Sequence, residues 1–352
     1  MNSLSNDLCA AEYLEGVELP GGLVVQRRIP DGATGGNFGV PYIVVREGPS
    51  EPKTAFLKAL NLRRLAGEPD FARALQRHTT AFNFERDILT ICKDKGMKRV
   101  ARLIDAGEHR LPNCTLPVCY IIFELATNGD VRSHLGQIAN VELAWTLRTL
   151  HEITVAMNQL HTHGIAHQDL KPSNILIFEN FGAKVGDLGC ADAMNGQTPS
   201  PRSNLNIAGD PSYAPPELIY LEVSHDWKTR RLGCDLYLLG SIIVFFFTGG
   251  ASITALWRKE LSLGHQPAAW PHDYRSVLPY VRDAFERGLA TFGLSLPPQV
   301  SSQVLELVRF LCDPDPKLRG HPLNRTTNQF GLERFISAFD VLATKAEYNL
   351  FR

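Results

Sequence analysis

The sequence predicts an α+β fold in which a small β-rich lobe precedes a larger helical lobe. Between about residues 22 and 125, short runs rich in Val, Ile, Phe and Tyr alternate with turns that contain Gly or Pro, which is typical of strands. After residue 130, apolar residues recur every three or four positions, which is typical of amphipathic helices. We expect an N-terminal extension over 1–21, the first lobe over 22–125, the second over 126–345 and a C-terminal tail over 346–352.

Four runs in the first lobe are predicted strands, namely "GLVVQRRI", "PYIVVREG", "TAFLKAL" and "VCYIIFEL". Between the third and the fourth, "FARALQRHTTAFNFERDILTICKDKG" has the apolar spacing of a helix. In the second lobe, "VELAWTLRTLHEITVAMNQLHTHG" predicts a long amphipathic helix that ends at Gly164. Further helices are predicted near 233–248, 276–290, 298–312 and 329–347. The polar segment 196–206 is predicted to be a loop.

Composition excludes several classes of protein. A formal net charge of −1 gives no support to nucleic acid or an anionic membrane as a partner. The seven cysteines contain no C-x-x-C pair, so neither a zinc ribbon nor a disulfide framework is indicated. The most apolar stretch, "LYLLGSIIVFFFTGG", is shorter than the roughly 18 residues of a membrane span, so we predict a buried core helix. The first residues lack the pattern of a signal peptide, and we expect a cytoplasmic protein without a membrane span.

Two short segments carry the chemistry. "GIAHQDLKPSNILIF" places Asp169, Lys171 and Asn174 in an irregular loop before a strand, and "KVGDLGCAD" places Asp187 in a turn thirteen residues after Asn174. Two strands with a short connection would bring Asn174 and Asp187 together, and their side-chain oxygens are ligands suited to Mg²⁺. Asp169 would orient and deprotonate a hydroxyl, while Lys171 would neutralise a phosphoryl group in transfer. Phosphoryl transfer needs this set of groups.

These motifs resemble those of the protein kinases. His167-x-Asp169-x-Lys171-Pro172-x-Asn174 is similar to the catalytic loop of that family, and Asp187-Leu188-Gly189 to its magnesium-binding turn. Further motifs follow in the family's order, namely "APPEL", "CDLYLLG" and "DPDPKLRG". The resemblance covers roughly residues 22–345 and implies a two-lobed protein kinase-like fold that uses ATP and Mg²⁺.

The resemblance also implies structural roles. Glu217 of "APPEL" would pair with Arg319 of "DPDPKLRG". His167 and Leu188 would belong to the hydrophobic spine, and Asp235 would hold the backbone of the catalytic loop.

In the first lobe, "TAFLKAL" resembles the strand whose lysine binds the α- and β-phosphates. This nominates Lys58, with Lys53 as the weaker alternative, and Glu85 as its partner on the predicted helix. Residues 61–80 look like a longer connection than the family usually has.

Two further segments would contact the nucleotide. The glycine-rich "PDGATGGNFGVPY" would cover the phosphates with backbone N–H groups, although Thr34 holds the family's first glycine position unless Gly32 serves there with an insertion. "YIIFELATNGD" resembles the hinge between the lobes, with the backbone of Glu124 to Ala126 against adenine and Asp130 near the ribose. The predicted contacts in the glycine-rich segment are Gly35, Gly36, Phe38 and Gly39.

Two residues depart from the family pattern. Gln168 replaces an arginine that binds a phosphate of the activation segment, which implies that this protein does not need that switch. Asp210 of "GDPSY" replaces a threonine that contacts the catalytic aspartate and lysine. We expect the Asp210 carboxylate to lie near both, attracted by Lys171 and repelled by Asp169.

We therefore interpret the chain as an ATP- and Mg²⁺-dependent serine/threonine protein kinase with a protein hydroxyl as acceptor. Lys171 indicates the Ser/Thr-specific branch. Two alternatives stay open: a small-molecule kinase, against which "DLKPSN" argues, and a nucleotide-binding pseudokinase, which Thr34, Gln168 and Asp210 leave possible.

Overall fold

The computed structural model of the protein describes residues 7–30, 39–47, 53–137, 141–194 and 207–351. The first lobe is built on a six-stranded antiparallel sheet with the strand order β1-β2-β3-β4-β6-β5. Its strands are β1 Glu18–Leu19, β2 Leu23–Arg28, β3 Gly39–Arg46, β4 Thr54–Leu60, β5 Leu103–His109 and β6 Val118–Glu124.

Alternation along β4 decides where Lys58 points. Ala55, Leu57 and Ala59 are fully buried in the core on one face of the sheet. Because successive side chains of a strand point to opposite faces, Lys58 lies on the other face. There it is opposite Pro41 of β3 and Ile121 of β6.

The described part of the N-terminal stretch packs onto this sheet. Leu14 and Leu19 belong to the same core as β4, and β1 extends the sheet beside β2. The Tyr42 hydroxyl donates to the Ala11 carbonyl at 2.7 Å. This part of the chain therefore contributes to the core of the first lobe.

One long helix crosses the sheet. Helix α1, Phe71–Asp94, has 24 residues and begins at the Asp70 side chain, which accepts from the Arg73 N–H. Its buried face includes Phe82, Glu85 and Leu89. Of residues 61–80, interpreted above as a long connection, 71–80 belong to α1 and Arg63–Gly67 form a 3-10 turn.

The second lobe is mainly helical, as predicted. Its helices are α2 Val131–Gln137, α3 Leu143–His161, α4 Pro216–Ile219, α5 Gly233–Thr248, α6 Ile253–Glu260, α7 Tyr274–Gly293, α8 Ser301–Cys312 and α9 Glu333–Glu347. Two short antiparallel pairs of strands lie beside them: β7 Ile165–Ala166 with β10 Asp192–Ala193, and β8 Ile175–Phe178 with β9 Gly182–Val185.

The most apolar helix lies in the interior. Residues Lys228–Thr248 are long and apolar enough to cross a membrane, but 89% of that apolar stretch is buried inside the protein. Burial against neighbouring helices explains its composition, because a helix that is apolar all round needs apolar surroundings on every side. The predicted core helix at 233–248 matches α5.

Candidate active site

A cleft between the lobes brings the predicted site residues together. Its volume is about 280 Å³, close to the lower end of the range for small-molecule sites. Apolar side chains such as Pro41, Phe123 and Leu176 line it together with the polar Lys58 and Asp187. A second cavity, of about 290 Å³, is also lined by Lys58, Glu85 and Asp187, and contains Asp169, Lys171 and Asp210.

Lys58 is held by two carboxylates. Its ammonium lies 2.9 and 2.8 Å from the two oxygens of Glu85 and 3.9 Å from Oδ1 of Asp187. Burial alone would lower the pKa of Lys58, but the two carboxylates raise it above its ordinary value. The ammonium is therefore charged and fixed, whereas Lys53 is exposed at a turn outside the cleft.

Three donors fix the Asp169 carboxylate. Oδ2 accepts from Lys171 Nζ at 2.7 Å and from Asn174 Nδ2 at 3.2 Å, and Oδ1 accepts from the Asp210 N–H at 2.9 Å. Burial would lower the pKa of Lys171, but Asp169 raises it, with smaller contributions from Asp187 and Asp210. The carboxylate and the ammonium therefore form a preset pair at the entrance to the cleft.

The β8–β9 hairpin brings Asn174 close to Asp187. Ile175 is opposite Val185, and the Gly186 N–H donates to the Asn174 carbonyl at 2.8 Å. The Asn174 amide nitrogen is used by Asp169, which leaves its oxygen for a cation. Burial would raise the pKa of Asp187, but Lys58 and Lys171 hold it below its ordinary value, so it stays ionised. An ionised carboxylate and an amide oxygen fit Mg²⁺.

The close approach of Lys58 requires a glycine at position 39. A Cβ at this position would lie 2.5 Å from Cγ of Lys58 and 3.0 Å from the Ala59 carbonyl oxygen. Because β3 passes so close to Lys58, a side chain here would displace the ammonium. The other predicted contacts of the glycine-rich segment, Gly35, Gly36 and Phe38, lie outside the described residues.

The hinge is tied to the second lobe. The Glu124 carboxylate accepts two bonds from Lys184 Nζ on β9, at 2.6 and 2.8 Å, and one from the Arg102 N–H at 2.8 Å. The Glu124 N–H donates to the Arg102 carbonyl at 3.1 Å and the Gly129 N–H donates to the Ala126 carbonyl at 3.3 Å, while the adenine contacts expected of this backbone stay predictions. The Asp130 side chain caps α2, since its Oδ1 accepts from the Ser133 N–H at 3.0 Å. Asp130 also lines the cleft.

Asp235 organises the start of the catalytic loop. It accepts from the backbone N–H groups of His167 and Gln168 at 2.7 and 2.8 Å. Both ring nitrogens of His167 are used by backbone: Nε2 donates to Gly186 O at 3.1 Å and Nδ1 accepts from the Asp169 N–H at 3.2 Å. His167 and Leu188 are fully buried, so this histidine is positioned to support the loop rather than to exchange protons.

Glu217 and Arg319 form the second buried ion pair predicted above. The guanidinium donates to both carboxylate oxygens, at 2.7 and 2.8 Å, and also to the Gly233 and Asp313 carbonyls. Burial would lower the pKa of Arg319, but Glu217 raises it. Because every donor direction is satisfied, this buried charge is tolerated and ties α4 to the start of α5.

Asp210 lines the same cavity as Asp169 and Lys171, and its direct contact with Asp169 is made by the main chain. The backbone N–H of Asp210, not its side chain, contacts Asp169, while the carboxylate accepts from the N–H and hydroxyl of Ser212 at 2.9 and 2.6 Å. The geometry is set by Gly209, where a Cβ would lie 2.5 Å from the Asp169 carboxylate. The main-chain hydrogen bond to Asp169 is attractive, and the expected repulsion between the two carboxylates stays a prediction.

The sequence analysis missed a buried group beside the catalytic loop. Arg231 contacts Gln168 and pairs with Asp192, and all three are buried. Arg231 lies 63 residues after Gln168 and matches none of the motifs discussed. The signal in the sequence was the pair of arginines in "KTRRLGCD", directly before an apolar helix. An arginine buried beside such a helix needs a partner, because charged residues are rarely buried unless paired.

Comparisons with known proteins agree with this geometry. The family model of the protein kinase domain matches residues 72–329, which is more than half of the chain. The chain is 29% identical to serine/threonine-protein kinase CHK1 of Saccharomyces cerevisiae over 43% of its own length and 27% of that protein. It is 30% identical to serine/threonine-protein kinase Nek2 of Mus musculus over 44% of its length and 34% of that protein.

A third relative is CBL-interacting protein kinase 4 of Oryza sativa, 28% identical over 57% of this chain and 38% of that protein. The chain therefore spans about a quarter to two fifths of the length of these curated relatives. The family match covers the catalytic loop, the Asp187 turn and the Glu217–Arg319 pair. The chain belongs to the protein kinase family.

Proposed function

We propose that the protein transfers the γ-phosphoryl group of ATP to a Ser or Thr hydroxyl of a protein substrate in a magnesium-dependent reaction. One observation carries this proposal: Asp169 bonds Lys171 and Asn174 at 2.7 and 3.2 Å beside the cleft that holds Lys58 and Asp187. A base, two cations and two oxygen ligands at one site are what phosphoryl transfer needs, because its catalysis is mostly positioning and electrostatics.

Asp169 would act on the acceptor. Its carboxylate would orient the substrate hydroxyl and take its proton as the new O–P bond forms and the bond to the leaving ADP breaks. Lys171 already contacts Asp169, and it would neutralise charge on the transferred group. The three bonds to Asp169 keep the base in one orientation, which reduces the reorganisation needed during transfer.

Lys58 and Asp187 would act on the nucleotide. The Lys58 ammonium, fixed by Glu85, would bind the α- and β-phosphates. Asn174 and Asp187 would hold Mg²⁺, which would offset the negative charge of the phosphates. The apolar side chains of Pro41, Phe123 and Leu176 would contact the adenine ring.

The acceptor class is supported by Lys171 and by the names of two relatives, both serine/threonine-protein kinases. We also propose the cytoplasm as the compartment. The seven cysteines are free, and four of them are buried, which suits a reducing environment.

The test is incubation with γ-labelled ATP, Mg²⁺ and a generic Ser/Thr protein substrate. Wild type should label the substrate on Ser or Thr, and Asp169→Asn should lose roughly 10²–10⁴-fold in rate with ATP affinity near wild type. Asp94→Asn, an exposed residue at the end of α1, is the matched control and should behave as wild type.

Two outcomes would contradict the proposal. Wild-type labelling no greater than that of Asp169→Asn, with nucleotide binding intact, would indicate a nucleotide-binding pseudokinase. Transfer to a small hydroxyl compound and not to protein would indicate a small-molecule kinase.

A further inference from the structure

Gln168 connects the catalytic loop to a buried arginine. Its side-chain Nε2 donates to the Arg231 carbonyl and to Asp235, both at 2.9 Å, and its Oε1 accepts from Arg231 NH1 at 3.1 Å. Gln168 has a φ of 67°, a conformation that a non-glycine residue adopts only when its surroundings hold it there. These contacts therefore fix the backbone directly before Asp169.

Arg231 pairs with an acid from the segment after the Asp187 turn. Its Nε lies 2.9 Å from Oδ2 of Asp192, and the Trp227 indole donates to the other oxygen at 3.3 Å. Arg231 is on a π-helical turn, Lys228–Leu232, directly before α5. Asp192 is opposite Ala166 in the β7–β10 pair. Ala166 directly precedes His167, where the catalytic loop begins.

The Arg231–Asp192 ion pair is buried, so losing one partner would disturb the surrounding side chains. Arg231 is 2% exposed and the Asp192 side chain 11% exposed, and loss of one partner from a buried pair leaves an uncompensated charge. Asp192 is therefore the anion that the fold itself supplies to Arg231.

We propose that the Arg231–Asp192 ion pair holds Gln168, and through it Asp169, in the working geometry, so that activity does not require phosphorylation of the following segment. This inference rests on the proposed function. Arg231 and Asp192 are positioning residues in it. The fixed carboxylate of Asp192 already pairs with Arg231, so no phosphate is needed as its partner.

The test compares four proteins after treatment with a phosphatase that is then removed: wild type, Asp192→Asn, Asp192→Glu and Glu286→Gln. The last is the control, since Glu286 also forms an ion pair with an arginine, Arg309, but on the surface. Phosphatase-treated wild type should keep its rate. Asp192→Asn should lose at least about tenfold in kcat with KM for ATP within twofold, because a small displacement of a catalytic group is costly. Asp192→Glu should recover part of the loss.

A double variant, Asp192→Asn with Arg231→Gln, separates positioning from folding. Removing both charges should restore folding yield and thermal stability relative to Asp192→Asn, but kcat should stay low because Gln168 has lost its anchor. Normal kcat in folded Asp192→Asn, or in the double variant, would overturn the inference.

A large loss of wild-type rate on phosphatase treatment would overturn it too, since a phosphate would then be required. Joint replacement of Thr198, Ser200 and Ser203 by alanine gives the same information without the phosphatase. If untreated wild type labels no substrate, the proposed function itself fails. If wild type and Asp192→Asn are equally active, only the proposed role of the ion pair fails.

Discussion

The backbone N–H of Asp210 donates to the Asp169 carboxylate at 2.9 Å, so the "GDPSY" segment contacts the proposed catalytic base through its main chain. The side chain of Asp210 instead bonds Ser212. Any residue at position 210 other than proline can make the first contact, which explains how a carboxylate is accommodated beside Asp169.

The first prediction concerns the charge of Asp210. The Asp210 carboxylate contributes to the raised pKa of Lys171. It would therefore compete with the transferred phosphoryl group for the Lys171 ammonium. We expect Asp210→Asn to raise the rate on a generic Ser/Thr peptide a few-fold, because the amide oxygen can still accept from Ser212. Lys171→Ala should abolish activity in both backgrounds, and the four rates form a cycle that measures the coupling. A lower rate in Asp210→Asn would show that the carboxylate is a required part of the site.

The second prediction concerns Asp187 and Mg·ATP. At a concentration of 100 Kd, a ligand that binds only the folded state stabilises it by about 2.7 kcal/mol. We expect wild type to show a clear rise in Tm with Mg·ATP and Asp187→Asn to lose most of that rise together with phosphoryl transfer. Asp94→Asn serves as the control. A full Mg·ATP shift in Asp187→Asn would remove Asp187 from the metal site.

Gly39 gives the third prediction. An added Cβ would lie 2.5 Å from Cγ of Lys58, so Gly39→Ala should displace the lysine from Glu85 and raise KM for ATP about tenfold or more. Gly136→Ala is the matched control, since a Cβ there meets nothing within 4 Å and lies on the exposed side of α2. An unchanged KM in Gly39→Ala would mean that Lys58 accommodates the methyl group without losing the phosphates.

The fourth prediction is a pH dependence of stability. Arg148 of α3 bonds Asp340 and Glu347 of α9, and these bonds hold the pKa of both carboxyls below their ordinary values. Groups with a lowered pKa in the folded state stabilise it above their ordinary pKa and lose that contribution as pH falls through the lowered one.

Arg148→Gln should therefore lower Tm at pH 7 by about 1–3 °C, a small effect because the pair is partly exposed. The difference from wild type should shrink as pH falls below about 4. The exposed Arg275→Gln removes the same charge elsewhere and should show neither effect. A difference in Tm that persists unchanged at low pH would rule out the ion pair as its cause.

Much of the fold could be predicted because its elements carry strong local patterns. Strands β3 and β6 are rich in Val, Ile, Phe and Tyr, and the long helix α3 has apolar residues at every third or fourth position. Strand β5 was missed because "LIDAGEH" is polar and contains a register shift between Leu103 and Asp105. The helix α6 was missed because it is only eight residues long.

The site was partly predictable for a different reason. Asp169, Asn174 and Asp187 lie on one loop and one hairpin, so short spacings along the chain decide their proximity. The partners of Gln168 and Glu124 come from distant positions, Arg231 and Lys184, and are brought close only by packing. The main-chain bond of Asp210 to Asp169 was not predicted, because residue type informs on the side chain and not on the main chain. The catalytic and ATP-binding roles stay predictions.

The Glu124–Lys184 pair has a mechanical consequence. It crosses from the last residue of the first lobe's sheet to the strand that leads to Asp187, and Lys184 also lies over the Phe178 and Phe181 rings at 4.8 and 5.3 Å. Opening the lobes about the hinge would stretch a pair shielded from water, so one interlobe angle is favoured in the empty protein. If the cleft binds a nucleotide as proposed, less conformational entropy is lost on binding, because the angle between the lobes is already set.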